Sequence, residues 1–210
     1  MPENIENNET SNAPAEKGSI VNDIFEIIES TLITIYVIVM IFTYLFHPVN
    51  VVGSSMNDTL VDGDKIGMCM VNPSISYGDI VIIDNDESFL LDENGNVYGK
   101  DISDSRLKEC LIKRVIGEPG QTIDVNTETH EITVDGKVLD EPYIKELTAT
   151  DYGSFNYPIT IPEGYYFVMG DNRNNSSDSR DSDVGLISRK QIYGKAVARY
   201  IPFKNFKILL

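Results

Sequence analysis

The chain of 210 residues carries 33 acidic against 17 basic side chains, a net charge of −16. The length allows one sizeable domain, or one domain with a subdomain inserted. The acidity argues against nucleic acid as a partner, because neutralising phosphates needs a basic face. Cys69 and Cys110 are the only cysteines. Both sit in apolar runs, and two such residues make neither a disulfide framework nor a zinc site.

Residues 1–22 are rich in Asn, Glu, Ser and Ala and have almost nothing to bury, which predicts a disordered acidic tail. From Ile24 the chain turns apolar. Ser30–Phe46 holds no charged side chain, and Ile33, Ile35, Val37, Ile38, Val39, Ile41 and Leu45 leave no polar face. A helix that is apolar all round reads as a membrane span, here over residues 24–48, with Pro48 ending it. Tyr44, Phe46 and His47 suit an interfacial belt. A cleaved signal peptide would need a basic segment close to the N-terminus, whereas residues 1–29 hold seven acidic groups and one Lys. The expectation is an uncleaved anchor, whose orientation the flanking charges do not settle.

Beyond Asn50 the chain reads as β. Short Val-, Ile- and Tyr-rich runs predict strands at 65–71, 79–83, 109–116, 122–125, 131–134, 165–169 and 192–200. Turn signals separate them, among them Asp62-Gly63, Asn94-Gly95, Pro119-Gly120 and Asp135-Gly136. Segment 85–108 is acidic and polar and reads as a hairpin extension or a mobile loop. The predicted fold is mainly β: an antiparallel β-sheet core over 50–120 and 166–202, a smaller inserted β unit over 121–165, one N-terminal transmembrane helix, and an apolar C-terminal tail, 203–210.

Three stretches carry candidate chemistry. Cys110–Gly117 reads Cys-Leu-Ile-Lys-Arg-Val-Ile-Gly, two cations inside an apolar strand. Side chains alternate along a strand, so Lys113 and Arg114 face opposite ways. One can reach solvent; the other lies among apolar groups. A lysine taken out of water has a lowered pKa and can serve as a general base near neutrality. The plain alternative is a surface lysine on a half-exposed strand. Gly53-Ser54-Ser55-Met56-Asn57-Asp58-Thr59-Leu60, just after the anchor, presents hydroxyls on a turn of small residues. Gly170–Arg180 is too polar for a strand and follows one directly. It fails as a calcium loop, because Arg173 interrupts the ligand positions and Ser182 stands where a Glu is needed.

Together these stretches resemble the bacterial type I signal peptidases, membrane-anchored Ser/Lys endopeptidases of protein export. Ser55-Met56-Asn57-Asp58-Thr59-Leu60 is similar to the family's nucleophile box except that Asp58 replaces Pro. Lys113 to Gly120 matches the lysine box, and Gly170 to Arg180 matches Gly-Asp-Asn-Arg-x-x-Ser-x-Asp-Ser-Arg throughout. The resemblance implies Ser55 as nucleophile and Lys113 as general base. It implies Ser176 as the hydroxyl that orients the lysine amine, and the Ser55 backbone N–H as oxyanion donor. Some relatives add a serine at the position of Gly53; here the backbone or Ser54 would complete the hole. Asp178 and Arg180 are expected to pair, Asp171, Asn172 and Arg173 to brace the loop, and Met56 to help keep the site dry. Asp58 is expected to close an Asx-type turn in place of the proline.

The implied substrates are signal peptides of secreted pre-proteins, added as an extra strand, with small residues at the first and third positions before the cut. Partners would also include membrane lipid. The N-terminus would be cytoplasmic and the β-domain extracytoplasmic. No metal or organic cofactor is needed: there is no His-Glu-x-x-His, and Gly117–Thr122 lacks the P-loop Lys. His47 and His130 have no partner suggesting a Ser-His-Asp triad and read as structural. Competing readings are a relative specialised for pilin or conjugation precursors, and a catalytically idle anchored β-domain used for binding or scaffolding.

Overall fold

The computed structural model describes residues 17–44, 46–71 and 74–209. Residues 1–16 of the expected tail lie outside the described residues. Helix α1 spans Lys17–Tyr44, so residues 17–22 are helical and not part of a disordered tail. Its stretch Ile20–Ile41 is long and apolar enough to cross a membrane, and none of its most apolar window is buried by protein. The hydroxyls of Ser30, Thr31 and Thr34 donate to carbonyls three or four residues earlier, which spares them from facing hydrocarbon unpaired.

The anchor also ends earlier than expected. Pro48 does not terminate the helix; it lies inside strand β1 (Phe46–Asn50). Proline pushes the residue before it toward extended backbone and has no N–H to offer a ladder. An edge strand tolerates that loss, and β1 is the edge of its sheet.

Residues 44–210 form a compact unit of their own. The large sheet contains β1, β2 (Lys65–Cys69), β3 (Ile80–Asp84), β6 (Cys110–Gly117), β11 (Tyr165–Met169), β12 (Ile187–Ser188), β13 (Ile192–Ile201) and β14 (Lys207–Ile208). Its order is β1-β2-β13-β3-β6-β11-β12, with β14 on β13, and every pairing is antiparallel. A four-stranded sheet, β10-β7-β8-β9, is built from β7 (Thr122–Asn126), β8 (Glu131–Val134), β9 (Lys137–Val138) and β10 (Ile159–Thr160). Between β3 and β6 the acidic segment is a hairpin of β4 (Ser88–Leu91) and β5 (Val97–Lys100). Lys100 pairs with Asp183 at 2.7 Å, and Phe89 meets Tyr165 edge-on, tying the hairpin to the body.

Two apolar clusters position the site. Val51, Met56, Leu60, Ile66, Met68, Ile80, Ile82, Ala196 and Leu209 form one, so Met56 and Leu60 root the Ser55 turn in the core. Leu111 and Val115 of β6 join Val81, Ile83, Val168 and Ile187 in another. The C-terminal tail is divided: Leu209 is buried, while Phe203, Phe206 and Ile208 are exposed. Cys69 is half-buried and Cys110 exposed, and both are free thiols; Cys110, the first residue of β6, is among the residues that line an open groove.

Candidate active site

The site forms where β11 leaves β6. Met169 pairs with Arg114, and Val168 with Val115, but beyond Met169 the chain turns into the polar loop at Gly170. Cys110–Lys113 therefore keep β3 on one side only. The other edge opens into a groove of about 640 Å³. Val49–Met56, Leu107, Cys110–Lys113, Tyr152 and Asn174–Ser177 line it.

Gly53 opens the nucleophile turn at φ +84°, a conformation glycine adopts without strain, and its N–H donates to Asp62 Oδ1 at 2.8 Å. Asn57 N–H donates to Ser54 O at 3.1 Å, and Leu60 N–H to Met56 O at 2.9 Å. Asn172 holds the turn from the far side. Its N–H donates to Ser55 O and its amide to Ser54 O, both at 3.0 Å. Asn175 Nδ2 donates to Ser54 Oγ at 2.8 Å. Asp58 closes no Asx turn: its carboxylate makes no hydrogen bond among the described residues, because these backbone bonds already close the loop.

Lys113 Nζ donates to Ser55 Oγ at 3.0 Å. The lysine is 3% exposed. Loss of hydration lowers its pKa from 10.5 to about 8, against the opposing pull of the Asp178 and Glu109 carboxylates. Arg114 does not reach solvent. It is buried on the opposite face of β6, where Nε and Nη2 grip both oxygens of Asp171 at 2.8 and 2.6 Å and Nη1 donates to Gly78 O. Its guanidinium lies 4.0 Å over the Tyr143 ring.

Asp178 and Arg180 pair with both fully buried, through Nε–Oδ1 and Nη2–Oδ2 contacts of 2.8 Å each. Desolvation pushes the Asp178 carboxyl up, but the Arg180 charge, its hydrogen bonds and the Gly170 N–H leave it below the usual carboxylate range. Ser176 departs from its expected role. Its buried Oγ has no hydrogen-bond partner among the described residues, and it packs against Gly170. The lysine amine is turned to Ser55 instead.

Glu141 and Tyr143 belong to none of the three sequence boxes, yet both reach the site. Arg173, fully buried, donates through Nη1 and Nη2 to the Glu141 carboxylate and through Nη1 to Thr148 Oγ1. The signal that could have found Glu141 is one of charge balance. Arg114, Arg173 and Arg180 face only Asp171 and Asp178 within their boxes, so a third buried guanidinium requires an acid from elsewhere. Outside the site, His47 is exposed on β1 and His130 Nδ1 lies 3.0 Å from Thr148 O.

A helix long and apolar enough to cross a membrane, an antiparallel β-domain and, within that domain, a serine hydroxyl bonded to a buried lysine are the parts that a membrane-anchored hydrolase of the serine–lysine type requires. Residues 24–201 match the family described as signal peptidase, peptidase S26, and the chain belongs to that family. Signal peptidase I of Bacillus licheniformis is 35% identical over 89% of this chain and 93% of its own length. That of Bacillus amyloliquefaciens is 35% identical over 85% of this chain and 86% of its own. Signal peptidase IB of Staphylococcus aureus (strain COL) is 30% identical over 88% and 93%. Among solved structures, a signal peptidase I from Enterococcus faecalis V583 is 24% identical with a TM-score of 0.42, covering 59% of this chain and 97% of that one. The family assignment makes the chain a serine endopeptidase, and does not favour the idle scaffold or the specialised precursor reading.

Proposed function

We propose that Ser55 and Lys113 are the nucleophile and general base with which this endopeptidase removes N-terminal signal peptides from exported pre-proteins. The observation that carries the reading is the 3.0 Å contact between the Ser55 hydroxyl and an amine withdrawn from water. A pre-protein segment lies along the free edge of Cys110–Lys113 and adds a strand. Alternate side chains then enter the groove, which favours small residues at the first and third positions before the cut.

With the amine neutral, the hydroxyl donates to its lone pair. The Ser55 oxygen attacks the scissile carbonyl as its proton passes to Lys113. The Ser55 N–H, free of any intramolecular bond among the described residues, meets the developing oxyanion; such a donor contributes about 3–4 kcal/mol. Gly53 cannot supply a second donor, since it has no hydroxyl and its N–H is engaged by Asp62. The Ser54 hydroxyl, steadied by Asn175, takes that place. The lysine ammonium then protonates the departing amine, leaving an acyl-serine. A water activated by the neutral lysine hydrolyses it.

Asp171, Asn172, Arg173, Asp178 and Arg180 hold the two reacting groups, Met56 floors the groove, and Ser176 lines it beside the lysine. The catalytic core is 50–120 with 166–202, and 121–165 is inserted. The helix anchors the chain in lipid with its N-terminus cytoplasmic and the β-domain on the outer side, where pre-proteins emerge. The test is cleavage of a signal-peptide precursor in detergent by wild type, Ser55→Ala and Lys113→Ala. Wild type cuts, and each variant loses at least about a thousandfold. An inert wild type, or a Ser55→Ala protein that still cuts, sinks the reading.

A further inference from the structure

Residues 139–158, between β9 and β10, contain no strand and cross the polar loop that follows β11. Their contacts with it are specific. Lys145 N–H donates to Asp171 O at 3.1 Å, Ala149 N–H to Asn174 Oδ1 at 2.9 Å, and Arg180 Nη1 to Thr150 O at 2.7 Å. Glu141 is the most deeply engaged. Its side chain is 7% exposed although it lies outside regular structure, and its carboxylate accepts from Arg173 Nη1, Arg173 Nη2 and the Tyr143 hydroxyl. Since Tyr143 donates to Glu141, its oxygen accepts from Tyr77 at 3.2 Å. The same Tyr143 ring lies 4.0 Å under the Arg114 guanidinium.

Each arginine is one residue from a group that holds the reacting pair. Arg114 follows Lys113 on β6, so fixing Arg114 from the opposite face fixes the strand that aims the amine. Arg173 follows Asn172, whose two bonds fix the Ser54 and Ser55 carbonyls. One short segment thus closes on both halves of the site, and Asp171, in the same loop as Arg173, links them by pairing with Arg114 of β6. A buried carboxylate with three donors and a cation stacked on an aromatic face are rigid contacts, stronger than a surface link.

We infer that Glu141 and Tyr143, in the segment joining β9 to β10, are positioning residues for peptide-bond cleavage, clamping through Arg173 and Arg114 the supports of Ser55 and Lys113. The inference rests on the assignment of those two as the catalytic pair. Displacing a reacting group by about 1 Å can cost a hundredfold in rate. Glu141 and Tyr143 are not themselves among the residues that line the groove, so their loss is expected in kcat more than in KM.

The experiment uses the full chain in detergent micelles and a synthetic precursor peptide with alanine at the first and third positions before the cut. Variants are Glu141→Gln, Glu141→Asp, Tyr143→Leu and Tyr143→Phe, with Ser55→Ala as control. Glu141→Gln and Tyr143→Leu lower kcat roughly tenfold to a hundredfold with KM within about twofold. They also move the acid limb of the kcat–pH profile upward, because a loosened amine regains water. Glu141→Asp and Tyr143→Phe, which keep the charge and the ring respectively, recover part of the rate. An unchanged kcat and acid limb in folded Glu141→Gln and Tyr143→Leu overturns the inference. So does a loss that only follows the folded fraction measured by circular dichroism with the limb unmoved. Failure of wild type to cut, or cutting by Ser55→Ala, overturns the catalytic assignment itself.

Discussion

At the scale of single residues, Lys113 sets both the activity and a cost in stability. Burial lowers its folded pKa from 10.5 to about 8. Below about 8 the amine is charged in both folded and unfolded states, and the folded protein bears the full cost of burying that charge. Between about 8 and 10.5 the unfolded chain binds a proton that the folded one does not, so stability rises with pH across that window. The penalty at neutrality is about 3 kcal/mol. Cleavage is therefore expected to increase through an acid limb near pH 8, while Lys113→Met abolishes cleavage and raises the melting temperature at pH 7. A flat rate from pH 5 to 9, or a Lys113→Met protein that melts lower, would count against a buried neutral base. The lysine is legible in sequence only with the three boxes taken together, since by alternation alone Lys113 and Arg114 are equal candidates for the dry side of the strand. The burial of Arg114 is not, because alternation along a strand says which way a side chain points but not what covers it. The idle hydroxyl of Ser176 is equally hidden, since a hydrogen-bond partner depends on angles between segments far apart in sequence.

At the scale of elements, the decisive event is the parting of β11 from β6 at Gly170. A methyl group there would overlap Ser176 Oγ and come within 2.5 Å of the Ser55 carbonyl oxygen. Gly170→Ala is thus expected to destabilise the fold by about 1–3 kcal/mol and to reduce kcat by roughly a hundredfold through displacement of Ser55. Denaturant unfolding and steady-state kinetics measure the two effects; a Gly170→Ala protein with wild-type kcat would refute the close packing of these loops. Strands such as Glu131–Val134 and Tyr165–Met169 are readable from β-branched and aromatic runs bounded by turn residues. Strands β1, β9, β10, β12 and β14 are not. Each is short, and four of them consist of two residues whose pairing is set by the partner strand, with no local pattern to betray it. The hairpin β4–β5 is half legible: Asn94-Gly95 marks its turn, while its acidic flanks give no apolar alternation.

At the scale of the whole chain, the apolar helix and the β-domain are separate compact units. The clusters around Met56, Val115 and Ile123 are built from residues beyond Val49, so a fragment of residues 44–210 is expected to fold without the helix. Its melting temperature in detergent should lie within about 3 °C of the full chain, the shift that ~1 kcal/mol produces at this size. Loss of a cooperative transition in the fragment would show that the β-domain depends on its anchor. Helix and sheet are both visible in sequence because their hydrophobic patterns differ in kind, one continuous and the other broken every few residues by turns. What the pattern does not disclose is the start of the sheet at Phe46, since a strand bearing a proline reads as an interruption. The bare rim of Cys110–Lys113, where β11 has departed, offers visitors only amides and carbonyls. A visitor must answer with its own amides in register, and an imino acid has none to give. Precursors with proline opposite this rim would be turned away by their main chain alone, whatever the size of the side chains on either side.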